Sequence, residues 1–244
     1  LMVPGNHDLN VVDRANPARL DLPGSPRKQL RRLRALVAME AVQGERVHVV
    51  DHGTGALGAT LRAALAPERE AIRRFAASGR PPTPGWLARL WQRVFPLVLP
   101  PATPDGLGVV LLNSNAETHF SFTNALGLVT GEQAEAATAV MRRWPAAGWI
   151  VALHHHVVEY PRPARTLAGR IGTVLVNGSG FVRQLRPLAA RTLVMHGHRH
   201  IDWTGVCAGV RIVSAPSPEG VGRGALVADE RVLPPQPHRL DHLR

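Results

Sequence analysis

Apolar residues along the chain fall into blocks whose spacing switches between the period of a strand and that of a helix. Residues 1–4 read as the end of a buried strand, with Gly5 opening a loop. Over 26–42, Leu30, Leu33, Leu36 and Val37 recur at helical spacing, with arginines on the other face. Val47, Val49 and Val50 mark a short strand within 46–51. Residues 57–77 predict a helix broken at Pro67, and 79–84 a turn-rich linker. Trp86, Leu87, Leu90, Trp91, Val94 and Phe95 form an apolar stripe at helical spacing. A helix packed on its own domain is the plain expectation; a lid, a dimer face or a membrane-surface contact are the alternatives. Strands follow at 108–112, 149–153 and 192–195. Helices are expected at 131–144 and at 179–190, where Asn177 is placed to cap. Residues 201–206 and 210–214 read as paired strands, with Gly209 at the turn. Strands alternating with helices, then a more antiparallel end, predict an α/β domain over 1–233 with a helical insertion at 55–100 and a loose tail at 234–244.

Three polar clusters each follow a short apolar run. Val3-Pro4 leads into Gly5-Asn6-His7-Asp8, and 150–153 into His154-His155-His156. Residues 193–195 lead into His196-Gly197-His198-Arg199-His200. Ligands of open α/β sheets bind beyond the carboxyl ends of the strands, so clusters far apart in sequence can converge there. Their His, Asn and Asp side chains are metal-ligating and proton-transferring types. In an extended segment His198 and His200 point the same way, and Gly197 lets the backbone turn beside them. Arg199 has the fork that suits phosphate oxygens. His155 and His156 are alternatives to His154 as a ligand, and His196 suits a supporting role better than a ligating one. His119 lies either at the pocket or on a solvated loop. Gly178-Ser179-Gly180 lacks the feeding strand of a nucleophile elbow.

The chain is 244 residues long, with 45% hydrophobic residues and a net charge of +11. This suits one globular domain, and no apolar run reaches the roughly 18–20 residues of a membrane span. The lone cysteine, Cys207, excludes an internal disulfide framework and favours a reducing compartment, so the cytoplasm is expected. The basic charge allows a nucleic-acid partner. Arginines spread along the chain, with Lys28 the sole lysine, fit a GC-rich coding bias as well.

Gly5-Asn6-His7-Asp8, a later histidine at a strand end, and Gly197-His198-Arg199-His200 together resemble the last three motifs of the calcineurin-like metallophosphoesterases. The resemblance implies an αββα sandwich of two mostly mixed sheets flanked by helices. It implies two metal ions (Mn, Fe or Zn), with Asn6, His154 and His198 on one and His200 on the other. His7, oriented by Asp8, would protonate or stabilise the leaving oxygen. The activity implied is hydrolysis of a phosphomonoester or phosphodiester by metal-activated water, on a small substrate such as a cyclic nucleotide. A nuclease of the same superfamily and a non-catalytic scaffold are the alternatives. The family's D-x-H and G-D-x-x-D motifs precede GNHD, whereas four residues precede Gly5 here. The expectation is therefore an N-terminally truncated, inactive chain without the bridging carboxylate.

Overall fold

A computed structural model describes residues 1–10, 15, 16, 18–159 and 175–215. In chain order the elements are α1 (Asn6–Leu9), α2 (Pro26–Gln43), β1 (His48–Val50), β2 (Leu57–Thr60), α3 (Leu61–Leu65), α4 (Arg69–Ser78) and α5 (Trp86–Val94). There follow β3 (Leu97–Leu99), β4 (Leu107–Leu111), α6 (Gly131–Arg142), β5 (Gly148–Ala152), α7 (Gly178–Leu185), β6 (Thr192–His196), β7 (Trp203–Cys207) and β8 (Val210–Ser214). The strands form one eight-stranded mixed sheet in the order β2-β1-β3-β4-β5-β6-β8-β7. Its middle, β4-β5-β6-β8, is parallel, and the strands beyond it on either side are antiparallel. The α/β class is as expected from the alternation.

Alternate residues of the strands send side chains to opposite faces, and each face has its own core. Val98, Val110, Trp149, Val151, Val194 and Ile212 pack with α6 and α7. Leu97 and Leu111 pack with α2 to α5. The apolar stripe of α5 is buried there, so it is the helix packed on its own domain. Ile150, Leu193, Met195 and Val213 share the second face at β5, β6 and β8, and they are only half-buried. The expected second sheet is not present among the described residues; the β7–β8 hairpin joins the first sheet through β8 and β6 instead.

Several local expectations give way to tertiary pairing. Residues 57–60 are a strand because they pair antiparallel with β1. The helix begins only at Leu61, where Thr60 Oγ1 accepts from Ala63 N at 3.3 Å. Pro67 sits in a short 3-10 turn, Ala66–Glu68. β3 escaped the sequence reading because three residues between a helix end and Pro100 carry no period. Leu1–Pro4 is not a strand: Met2 pairs its backbone N–H and carbonyl with the Gln43 side-chain amide, at 2.7 and 3.0 Å. Asn177 does not cap α7; its side chain pairs with both backbone groups of Val129. Among the described residues no helix is long and apolar enough to cross a membrane. The expected tail at 234–244 lies outside the described residues.

Lys28, the sole lysine, is 0% exposed. Its ammonium donates to Asp21 O and Thr118 O at 3.0 Å each, to Asn124 Oδ1 at 3.1 Å and to Thr118 Oγ1 at 3.3 Å. The Asp21 carboxylate lies 3.7 Å away. Desolvation pulls the lysine pKa below its ordinary value, and Asp21 opposes that pull. The contacts tie α2 to the loop that follows β4. A planar arginine fork cannot reproduce a compact tetrahedral donor among four oxygens. Lys28→Ala is expected to destabilise the fold by about 3 kcal/mol or more, since removing one partner strands buried polar groups. Lys28→Arg should not restore that loss. Urea unfolding of the three proteins checks this, and equal midpoints would reject the structural role.

Candidate metal centre

Because β4, β5 and β6 run parallel, the segments after them leave from one end of the sheet. They are laced together there. Leu112 N donates to Ala152 O, Leu153 N to Met195 O and Gly197 N to His154 O, at 2.9, 3.0 and 3.1 Å. Ser114 Oγ accepts from the backbone N–H groups of His154 and His155, both at 3.2 Å. Asn115 Nδ2 donates to Pro4 O at 2.8 Å and brings the N-terminal segment alongside. A Cβ on Gly5 would come within 3.2 Å of the His154 ring, so a glycine is what lets α1 approach so closely. At Gly127 a Cβ would meet His155 Cγ at 2.5 Å, so that ring too is seated against bare backbone.

Three expected ligands meet. His154 Nε2 lies 2.8 Å from Asn6 Oδ1 and 2.9 Å from His198 Nδ1. Donors bound at about 2.1 Å to an octahedral ion sit roughly 3.0 Å from their neighbours, so this spacing is already close to that of ligands around one cation. His154 Nε2 carries either one proton or one lone pair, so the two neighbours share a single hydrogen-bonding position of that ring. His155 joins His154 and His198 in a second possible grouping, with ligand atoms within 4.8 Å of one another. Its tautomer argues against that set. Ser114 Oγ already accepts two N–H bonds, so its hydroxyl donates to His155 Nδ1 at 2.9 Å. The proton of His155 then sits on Nε2, where a lone pair would be needed. Nε2 makes no hydrogen bond of good geometry, although the Ala125 carbonyl lies near enough to favour protonation slightly. His155 is buried and held by Ser114, and Asn6 is the third side chain whose acceptor atom meets His154 and could complete a donor set with His198.

The remaining candidates divide. His7 and His200 are exposed and lie near enough to His154 and His198 to act on them electrostatically. His200 gets there by a different route from the one expected. Residues 198–200 are not extended. His198 and His200 have φ of 75° and 54°, in the left-handed region, while a Cβ on Gly197 would meet nothing within 4 Å. The strain expected of the glycine is carried by the two histidines, as happens where surrounding structure enforces a functional geometry. Asp8 does not orient His7. Its Oδ2 accepts from Gly5 N at 3.0 Å and closes the first turn of α1, and neighbouring residues of a helix do not face each other. Arg199 Nη1 lies 3.9 Å from the Glu159 carboxylate. His156 and His196 are buried beside His198 and each other, and His119 is exposed on its loop. The sequence reading missed Ser114 and Asn115, two short polar residues inside a segment from which only His119 was weighed. Nothing in their type distinguishes them from ordinary loop residues.

The two metal ions expected from the resemblance meet one set of donors. Among the described residues a single group of three or more His, Cys, Asp or Glu side chains converges, and it contains no carboxylate. Asn6, His154 and His198 fit one ion in donor chemistry and spacing. A cavity of about 350 Å³ between α1 and α2 is lined by His7, Asp8, Arg31 and Arg34. Arg31 Nη1 donates to His7 O and Asn10 O at 3.0 and 3.1 Å, which clamps α1 onto α2. No family profile and no curated protein sequence matches the chain.

Burial pushes the histidines strongly towards the neutral form. His154 and His196 fall to about 4, His156 and His198 to about 3, and His155 well below its ordinary value. Neutral imidazoles are the ligating form, so an ion at neutral pH displaces few protons. The same shifts set the acid stability of the metal-free protein. Below the unfolded value of about 6.5, the unfolded chain binds protons that the folded chain refuses. Stability is therefore full above about pH 6.5 and is lost as the pH falls towards the folded values. Each histidine contributes up to about 1.4 kcal/mol per pH unit. In chelator, the urea midpoint is expected to drop steeply between about pH 7 and pH 5. A midpoint unchanged over that range would mean that the rings are charged or solvated in the folded state.

Proposed function

We propose that the chain is a metal-dependent phosphoesterase of the calcineurin-like type, hydrolysing a phosphomonoester or phosphodiester. The observation that carries this reading is the meeting of Asn6 Oδ1, His154 Nε2 and His198 Nδ1 at 2.8 and 2.9 Å, with His7 and His200 in electrostatic reach. Asn6, His154 and His198 hold one ion in this reading, and His200 is the ligand this chain offers to a second. An ion bound there supplies Lewis-acid chemistry, polarising a phosphoryl oxygen and lowering the pKa of water. His7, exposed at the rim, donates a proton to the departing oxygen. Arg31 holds the His7 carbonyl and so fixes where the ring is presented. Arg34, exposed beside it in the same cavity, offers its charge to the substrate's phosphate oxygens. The buried histidines keep the donors neutral and the ligand geometry rigid. In this reading the second sheet of the αββα sandwich packs on the half-buried face formed by Ile150, Leu193, Met195 and Val213.

A second reading, a metal-binding scaffold without turnover, is favoured by the absence of a carboxylate from the converging group. One variant series separates the two. His198→Ala is expected to weaken Mn or Zn binding by at least about 100-fold and to lower hydrolysis of bis-p-nitrophenyl phosphate by orders of magnitude, with the circular dichroism spectrum unchanged. Metal binding that depends on His198, with no hydrolysis by the parent chain, would select the scaffold. Hydrolysis unaffected by His198→Ala would end the phosphoesterase reading at this site.

A further inference from the structure

The outward face of α2 carries three arginines, Arg27, Arg31 and Arg34, at positions i, i+4 and i+7. Side chains at that spacing are neighbours along a helix surface. Arg27 and Arg34 are exposed and Arg31 is half-buried. No carboxylate pairs with any of the three among the described residues. Arg31 Nη1 is taken by the backbone carbonyls of His7 and Asn10, which leaves its charge unneutralised. Other helices treat arginine differently. On α4, Glu70 meets Arg73 at 3.2 Å and Arg74 at 3.6 Å, and Arg93 of α5 pairs with Glu68. The one acid of α2, Glu40, is 5% exposed and already holds Arg69 Nη1 and Nη2 at 3.0 and 2.6 Å. The row is therefore a line of like charge with no counter-charge on its own helix. Its position is also unfavourable. Arg27 lies in the first turn of α2, which holds no acid, where the helix dipole already presents positive charge. Arg142, in the last turn of α6, shows the ordinary placement. Like charges at i,i+4 and a cation at a helix N-terminus both oppose the helix, so local stability does not account for the row.

We propose that this face of α2 binds the phosphate backbone of double-stranded DNA. From Arg27 to Arg34 the row spans about 10 Å at 1.5 Å per residue. A DNA duplex carries one negative charge per about 1.7 Å of its axis, so the row meets several phosphates, and a guanidinium fork suits each one. A single small anion would neutralise one end of the row and leave the rest bare. α2 contains no aromatic residue, so the face has no platform on which single-stranded bases stack. Contacts to phosphate alone position the duplex without reading its sequence. The bulky apolar side chains of the helix, Leu33, Leu36 and Met39, are buried, so it offers no apolar wedge to a lipid surface. At its far end the row reaches the cavity between α1 and α2, which Arg31 and Arg34 line with His7. Asp8, the one acid in that lining, spends its Oδ2 on Gly5 N. A strand laid along the row passes His7, which gives the phosphoesterase reading a polymeric phosphodiester as substrate. The binding itself does not rest on that reading.

Fluorescence anisotropy of a short labelled DNA duplex with the whole chain, in chelator, tests the proposal without turnover. Three phosphate contacts predict that log K falls with log salt at a slope of about −2.7, roughly 0.9 per contact. Arg27→Ala and Arg34→Ala should each flatten that slope by about 0.9, and Arg27→Glu combined with Arg34→Glu should abolish binding. Arg142→Glu combined with Arg143→Glu makes the same change of charge at the end of α6, which packs on the opposite face of the sheet from α2. That pair should leave binding largely unchanged, because charges beyond a Debye length are screened. No duplex binding at low salt, a slope near zero, or equal losses in the two double variants overturns the proposal. So does tighter binding, through Arg27 and Arg34, to phosphatidylserine vesicles or to an oligothymidine single strand than to the duplex. Both positions are exposed, and Arg27→Glu puts an acid where the helix dipole favours one, so the variant should keep the parent's circular dichroism spectrum. The parent's salt slope needs no variant at all. Binding with these properties but without cleavage once Mn is restored upholds the surface and counts against DNA as the substrate.

Discussion

Parallel pairing of β4, β5 and β6 is the constraint on which the meeting of Asn6, His154 and His198 depends. Their in-register ladders send residues 112–116, 153–156 and 197–200 out of the same end of the sheet. Without that shared direction, histidines more than forty positions apart would have no reason to meet. Cross-loop hydrogen bonds then convert proximity into geometry, with Ser114 as the hub. One hydroxyl spends both lone pairs on the backbone of His154 and His155 and its proton on a ring nitrogen. That single commitment fixes the path of the loop and the tautomer of His155, and it leaves His154 free to turn towards Asn6 and His198.

Burial of so many imidazoles carries a cost that the fold meets in two ways. The rings stay neutral, so no charge is desolvated. They also pack against one another, with His154, His155 and His198 centroids 4.6 to 4.9 Å apart. The positive φ angles at His198 and His200 belong to the same account. A loop free to relax would put glycine there, and Gly197 stands next door without needing its freedom. The left-handed conformation is thus imposed on two histidines by their surroundings and not supplied by the neighbouring glycine.

What the sequence made legible was whatever has a period or a strong chemical type. The long amphipathic α2, the stripe of α5 and the buried strands β4, β5 and β6 stand close to where their patterns place them. That Asn6, His154 and His198 would meet was legible because histidines and an amide after short apolar runs are chemically conspicuous. The strand at 57–60 and the three-residue β3 were not, because their state is decided by a partner far along the chain. The relation of His198 to His200 was misjudged for a similar reason: period-two spacing holds only in an extended segment, and this one turns. Asp8 looked like an orienting carboxylate for His7, but as the third residue after a glycine start it is better placed to close α1.

The buried lysine shows the same logic away from the site. In a chain whose other 28 basic residues (29 less Lys28) are arginines, the exception sits where a fork would not fit. Lys28 draws Thr118 and Asn124 onto α2, and the loop so held contains Ser114, Asn115 and Glu117 just before them. Those three face different tasks: Ser114 supports the histidines, Asn115 grips Pro4, and Glu117 pairs with Arg32. α1 is the element common to all of this, since Asn6 at its start meets His154 and Leu9 at its end packs into the core of α2 to α5. A four-residue helix has too few hydrogen bonds to stand alone. Its position is dictated by what grips it: Arg31 on one side, Asn115 on another, and the His154 ring against Gly5. The Asn6, His154 and His198 cluster is therefore only as rigid as the α2–loop interface beneath it, at whose centre the Lys28 ammonium binds both sides.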